Sequence, residues 1–269
     1  IIHATESTSG NAFGFKKAEM NDKPFNWLIS TFEKDYTPIG NKDKVLYVLT
    51  NQDAPRYKLI AIDMNNPAPE FWMDIIPEQE NVLESCSLVG GHLIATYLKD
   101  AYNETEIFSL DGTFKHNVEF PGIGSVNGFG GRISDNNTFY TFTSFNYPPV
   151  IFKYNIAENK SEIYHESEVD FNGDDYVTKQ VFFESKDGTK VPMFIIHRKG
   201  IVLDGTNPTM LYGYGGFNIT YTPRFSVTNA VWMEQGGVYA LAGIRGGGEY
   251  GEEWHKAGTI LNKQNVFDD

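Results

Sequence analysis

Through the first part of the chain, apolar residues come in short runs with alternating side chains, bounded by Gly, Asn, Asp and Pro. Such runs predict strands joined by turns. One unit begins with Val45-Leu-Tyr-Val-Leu-Thr50, crosses a polar loop with Pro55 into Tyr57-Lys-Leu-Ile-Ala-Ile-Asp63, and reaches Phe71-Trp-Met-Asp-Ile-Ile76. The next runs from His92-Leu-Ile-Ala-Thr-Tyr97 through Thr105-Glu-Ile-Phe-Ser-Leu-Asp111 to the region of Asn117-Val-Glu-Phe120. A third runs from Thr138-Phe-Tyr-Thr-Phe-Thr143 through Val150-Ile-Phe-Lys-Tyr-Asn155 to Ser161-Glu-Ile-Tyr164. Equivalent strands recur about every 44–48 residues, which is the period of a β-propeller blade. A partial unit, Ile1 to Phe32, precedes them, giving about four blades. Propellers carry four to eight, so the ring is expected to be incomplete in this chain. No helix of ordinary length fits this region.

The pattern changes near Ser167. Tyr176 to Glu184 and Val191 to His197 predict two strands, and Lys186-Asp-Gly-Thr189 between them is a hairpin signal, because Asp-Gly tolerates positive φ. Thr209 to Tyr212 predicts a third strand. Phe225 to Gln235 predicts a helix ending at Gly236-Gly237. Val238 to Ile244 predicts a fourth strand, and Leu261 to Asp269 the start of another helix. Two antiparallel strands followed by strand, loop, helix and strand is the opening of an α/β-hydrolase sheet. The expected fold is therefore a partial β-propeller domain over residues 1–167, followed by the N-terminal portion of an α/β-hydrolase domain over 168–269. A sheet that ends after four strands is expected to leave an unpaired apolar edge where the next strand of the fold should sit, and an unclosed propeller a second.

Composition narrows the partners. The formal net charge is −13, which repels phosphate backbones and argues against nucleic acid. No run approaches 18 apolar residues, so no membrane-spanning helix is expected. Cys86 is the only cysteine, which excludes an internal disulfide and a CxxC metal site. The six histidines show no metal-ligand spacing, so neither a metal nor another cofactor is expected. Ile1-Ile2-His3-Ala4-Thr5 lacks both Met and a basic region and reads like strand interior, so the chain is expected to be cut at both ends.

Candidate chemistry centres on Met210-Leu-Tyr-Gly-Tyr-Gly-Gly-Phe217, where an apolar run enters a glycine loop. Acyl transfer builds negative charge on the former carbonyl oxygen, and a fixed donor to it is worth roughly 3–4 kcal/mol. In α/β-hydrolases one donor comes from the loop after the third strand, which is where Gly213-Tyr-Gly-Gly216 falls. Tyr214 adds a phenolic OH able to donate to an oxyanion. On spacing alone the loop reads equally as a tight turn with a packed aromatic. Arg245-Gly-Gly-Gly248 lacks the Gly-Lys-Ser/Thr of a phosphate loop and reads as a tight turn, with Arg245 and Glu249 expected to pair. Glu252-Glu253 reads as a solvated helix start.

Leu211-Tyr-Gly-Tyr-Gly-Gly-Phe-Asn218, Ala242-Gly-Ile-Arg-Gly-Gly-Gly-Glu-Tyr-Gly251, Trp254-His-Lys256, Asn262-Lys-Gln-Asn265 and Ser185-Lys-Asp-Gly-Thr-Lys-Val-Pro-Met-Phe194, together with the repeats, resemble the prolyl oligopeptidase family of serine peptidases over essentially the whole chain. The resemblance implies a seven-bladed propeller capping an α/β-hydrolase domain, with short peptides cleaved after proline in the cavity between them. It implies that Tyr214 donates to the oxyanion and that Phe217 lines the proline pocket, where a flat apolar ring suits a pyrrolidine. Plain core packing is the alternative for Phe217. A basic-specific relative, the oligopeptidase B group, usually carries Ser-Tyr where this chain has Gly216-Phe217.

The chain departs from the family in one respect. No Gly-x-Ser-x-Gly occurs in its 269 residues. The acid and the histidine follow the serine in this fold, so nucleophile, acid and base are all expected to be absent from the chain. His255 precedes the nucleophile position and reads as structural. The expected partners are short proline-containing peptides and the missing remainder of the catalytic domain and propeller. The family's members are cytoplasmic or periplasmic, and the residues here do not choose. A second reading, a non-catalytic propeller that binds peptides or proteins, requires the chain to be naturally complete.

Overall fold

The structure is a computed structural model and describes residues 1–6, 9–17, 19 and 22–269. Residues 7, 8, 18, 20 and 21 of the first unit lie outside the described residues. Four antiparallel sheets follow one another along the chain. The first has three strands, β1 (Ile2–Ala4), β2 (Ala12–Phe15) and β3 (Asn26–Ile29). The second has β4 (Tyr36–Lys42), β5 (Val45–Thr50), β6 (Lys58–Asp63) and β7 (Met73–Ile76). The third has β8 (Val82–Val89), β9 (His92–Lys99), β10 (Tyr102–Ser109) and β11 (Phe114–Asn117), and the fourth has β12 (Ser125–Gly130), β13 (Asn137–Ser144), β14 (Tyr147–Asn155) and β15 (Lys160–Glu166). Each is a simple meander, as a propeller blade is.

Alternation explains how the blades stack. Leu46 and Val48 of β5 pack with Ile60 and Ile62 of β6 towards the first blade's Phe13. Their neighbours Tyr47, Leu49, Leu59 and Ala61 face the other way, against Leu83, Leu88, Leu93 and Ala95 of the third blade. In turn Ile94 and Ile107 meet Tyr140, Phe142 and Tyr154 of the fourth. Successive side chains point to opposite faces of a strand, so one blade serves two interfaces.

Every four-stranded blade carries one strand more than the hydrophobic pattern marks. Strands β4, β8 and β12 precede the expected units, and each slips register against its neighbour, at Pro38/Gly40, Leu83/Ser85 and Gly128/Gly130. A bulge adds a residue and breaks the period of two, which hides these strands from a pattern reading. The third strand of the second unit lies at Phe114–Asn117, earlier than Asn117–Phe120.

The last sheet contains β16 (Tyr176–Glu184), β17 (Lys190–Arg198), β18 (Thr209–Gly213) and β19 (Val238–Ala242). The β16–β17 turn has Gly188 at φ 82° and Thr189 N–H donating to Asp187 Oδ1 at 3.0 Å, as Asp-Gly predicts. Helix α1 (Val227–Glu234) connects β18 to β19. The order is β16-β17-β19-β18, with β19 antiparallel to β17 and parallel to β18. The fourth strand in sequence is thus inserted, and the open edge is the third, β18. There Leu211 is 68 % exposed, whereas all five residues of β19 are buried, as a strand flanked on both sides must be. Short helices α2 (Glu252–Lys256) and α3 (Gln264–Asp268) close the chain.

The blades and the mixed sheet share a fourth core. Ala101 and Phe145 of the blades pack with Tyr176, Phe194, Ile196, Met233 and Leu241. Tyr250 Oη donates to Asp100 Oδ1 at 2.8 Å across the same junction.

Candidate active site

Strand β18 delivers the chain into the loop Gly213–Phe217, at the end of a parallel strand pair. The loop leans on the turn after β19. A Cβ at Gly215, which has φ 62°, would fall 2.6 Å from the Arg245 carbonyl oxygen, and one at Gly246 would fall 2.6 Å from the Gly215 oxygen. Two main chains in direct contact leave no room for side chains. Beyond Gly216 the backbone is held in the left-handed region at two non-glycine residues, Phe217 (φ 53°) and Asn218 (φ 56°). Such backbone persists only where its surroundings fix it. Asn218 N–H donates to Gly246 O at 3.1 Å and lies 3.0 Å from His255 Nδ1, which itself lies 2.7 Å from Gly246 O. Lys263 Nζ donates to Gly215 O at 2.8 Å.

On this pinned backbone the two candidate side chains stand outward. Phe217 is 73 % exposed and Tyr214 is 41 % exposed. Phe217 joins none of the four buried clusters formed by the described residues. The Tyr214 ring touches one aromatic neighbour, Tyr221, with centroids 5.7 Å apart. Tyr221 in turn stands 5.3 Å from the Tyr212 ring, and the Tyr212 hydroxyl donates to the Tyr221 hydroxyl at 3.1 Å. That bond leads the causes raising the Tyr221 phenol above its usual range.

The segment after the loop, Asn218 to Phe225, straps the site to the fourth blade. Ser125 Oγ donates to Pro223 O at 2.6 Å, and Phe225 N–H donates to Thr143 Oγ1 at 3.2 Å. Beside it opens a cleft of about 770 Å³ between Glu84, Ser125 and Asn127 of the blades and Thr222 and Arg224 of the strap. Glu84 reaches solvent at the cleft wall, yet the surrounding protein desolvates its carboxyl and pushes it above the usual range, against the Asn103 amide that donates to it at 2.7 Å.

The two charges of the second glycine turn do not pair as the sequence suggested. Arg245 is buried and turns towards the β16–β17 hairpin and the chain's last turn. Its guanidinium bonds Asp269 Oδ1 at 2.6 Å, Asp187 Oδ2 at 2.5 Å and Ser185 Oγ at 3.2 Å. These bonds raise the Arg245 guanidinium and hold the Asp187 carboxyl well below its usual range. Glu249 points the opposite way, beneath the strap, where burial pushes its carboxyl up to about 7. Glycines between the two let the backbone reverse, so that four residues of separation put them on opposite sides. Neither Glu249 nor Tyr221 was singled out for chemistry by the sequence, because only the fold brings them under the loop. His255 bridges the two glycine loops, in keeping with a structural role. Among the described residues no group of three or more His, Cys, Asp or Glu is placed to hold a metal ion.

Comparison with known proteins adds the following. The family model described as prolyl oligopeptidase, N-terminal beta-propeller domain, matches residues 1–167, and the model described as prolyl oligopeptidase family matches residues 223–269. The prolyl endopeptidase of Elizabethkingia meningoseptica is 43 % identical over 269 residues, which is 100 % of this chain and 38 % of that protein. The dual function macrocyclase-peptidase POPB of Amanita bisporigera is 38 % identical over 255 residues, 91 % of this chain and 34 % of its own. A solved structure from a study of two prolyl endopeptidases and their inter-domain dynamics superposes with a TM-score of 0.91 at 42 % identity, covering 97 % of this chain and 38 % of that one. The chain thus spans little more than a third of the length of the relatives it matches.

Proposed function

We propose, from the premise that this chain belongs to the prolyl oligopeptidase family, that a full-length protein carrying it is a serine endopeptidase cutting short peptides on the carboxyl side of proline. Residues 1–167 contribute propeller blades and residues 168–269 the opening of the catalytic domain. The nucleophile, acid and base come from sequence outside these 269 residues, so the chain alone does not turn over peptides. Turnover by the pure chain, blocked by a serine-directed phosphonate, would overturn that statement.

The division of labour follows from the site. When a serine attacks the carbonyl after proline, charge moves onto the carbonyl oxygen, and a donor fixed beforehand lowers the barrier without reorganising. Tyr214 supplies that donor through its hydroxyl. Phe217 offers its ring face to the pyrrolidine, which brings no N–H of its own. The observation carrying this reading is the pairing of a rigidly held, left-handed backbone with two outward aromatic side chains. Nothing in the core requires Phe217 to stand there. Gly216-Phe217, where the basic-specific group usually carries Ser-Tyr, favours the proline-specific reading.

The test is Tyr214→Phe in the full-length protein. Removing one oxyanion donor is expected to lower kcat about 100-fold, with KM little changed. An unchanged kcat would refute the role.

A further inference from the structure

Glu249 is almost completely buried, and no cation is paired with it among the described residues. Acidic side chains are rarely buried unless paired, so the carboxylate needs a reason. Its surroundings are three N–H groups: its own main chain, the Tyr221 N–H at 3.4 Å from Oε1, and the Trp254 indole of α2. Oε2 and the Trp254 N–H are both buried, and neither closes a full hydrogen bond. The carboxylate also fills space that glycines leave. A Cβ at Gly247 would fall 2.2 Å from Oε2, and one at Gly243 would fall 3.0 Å from Cγ. The neighbouring Tyr250 is turned towards the blades, where its hydroxyl donates to Asp100 at 2.8 Å.

These contacts lead to the site in two steps. Glu249 holds the Tyr221 main chain, and the Tyr221 ring is the aromatic surface on which Tyr214 rests. We propose that Glu249 is a positioning residue for Tyr214, gripping the strap from beneath through the Tyr221 N–H and so setting where the Tyr214 hydroxyl points. The inference rests on the reading of Tyr214 as oxyanion donor. It gives the second glycine turn a purpose: Gly243 and Gly247 make the hollow in which an anionic side chain can sit under the loop. A displacement of about 1 Å at a reacting group can cost up to about 100-fold in rate, and the Tyr214 hydroxyl, on a half-exposed side chain, makes no hydrogen bond among the described residues.

The experiment is a double-mutant cycle in the full-length protein, with kcat and KM measured for Glu249→Leu, which has no oxygen to accept the Tyr221 N–H, Trp254→Phe, Tyr214→Phe and the combinations with Tyr214→Phe. Glu249→Leu is expected to lower kcat about tenfold with KM within about twofold. Trp254→Phe is expected to do the same more weakly. Neither should add to the loss caused by Tyr214→Phe, because the position of a missing hydroxyl no longer matters. Losses that multiply in full with that of Tyr214→Phe would overturn the inference while leaving Tyr214's role intact. A Tyr214→Phe enzyme with normal kcat would overturn the role of Tyr214, and this inference with it. Should Glu249→Leu fail to fold, the Trp254→Phe arm decides by the same criterion.

Discussion

Leu93 and Phe217 are both large apolar residues, yet Leu93 is wholly buried between two blades while Phe217 stands 73 % exposed on left-handed backbone. The contrast extends to their regions. Blade interiors are largely apolar on both faces, and polar groups inside them pair with one another, as Thr96 and Thr105 do at 3.0 Å, or with main-chain carbonyls, as Thr138 does with Gly130. Around the glycine loops a guanidinium and a carboxylate are buried, aromatic rings face outward, and two non-glycine residues carry positive φ. Blades are built for stability by repeating one solution. The loop region gives up part of that stability to hold particular groups in particular places.

Four measurements would break or sharpen this contrast, taken by thermal or denaturant unfolding. The largest effect is expected from Arg245→Met, which leaves the fully buried Asp269 carboxylate without its cation. Breaking such a pair from one side costs about 3–5 kcal/mol. A loss below about 1 kcal/mol would show that the buried ions hold little. Next is Leu93→Ala in the blade core, with an expected cost of about 3 kcal/mol from lost burial and the cavity left behind.

Glu249→Gln comes third, and its effect depends on pH. Burial raises the folded carboxyl to about 7 from the usual 4.5 of a free glutamate, so the folded state holds its proton after the unfolded state has lost it. Stability is then fully present below about pH 4.5 and falls as pH rises through about 7. The variant lacks this fall, so its advantage over the wild type should grow by about 3 kcal/mol between those limits. Parallel stability curves for the two would show that Glu249 is not desolvated as described. The smallest effect belongs to Phe217→Ala, which should change stability by less than about 0.5 kcal/mol. In the full-length enzyme it should lower the preference for proline over alanine about tenfold or more in kcat/KM. A large loss of stability would return Phe217 to the core.

Glu249 sharpens the comparison further. The same carboxylate that is proposed to hold the strap in its ionised form costs the fold stability in that form. Between the second and third blades, by contrast, the buried Cys86 has its thiol pushed up to about 12 by desolvation and stays neutral.

Much of the fold was legible in the chain because its signals are local. Strands β5 and β9 are short, nearly continuous buried runs, β13 alternates, and the Asp187-Gly188 hairpin needs only its own residues. Strands β4, β8 and β12 were not legible, because a bulge in each shifts the period. The Gly213–Phe217 loop was visible as a candidate site, since glycine and tyrosine after an apolar run mark a special backbone. What lies beneath it was not visible.

By itself the sequence determined the order of elements, the blade repeat, the change of architecture near Ser167 and the identity of the groups at the loop. Each follows from neighbouring residues through side-chain periodicity and turn geometry. Only the tertiary structure decided that β19 enters between β17 and β18, that Phe217 faces outward, and that Arg245 and Glu249 turn apart. Their partners are remote: Asp187 is 58 residues from Arg245, and Tyr221 is 28 residues from Glu249. A charge four residues from its opposite suggests a pair, but burial makes each group take whichever hydrogen-bonding partners the fold brings closest.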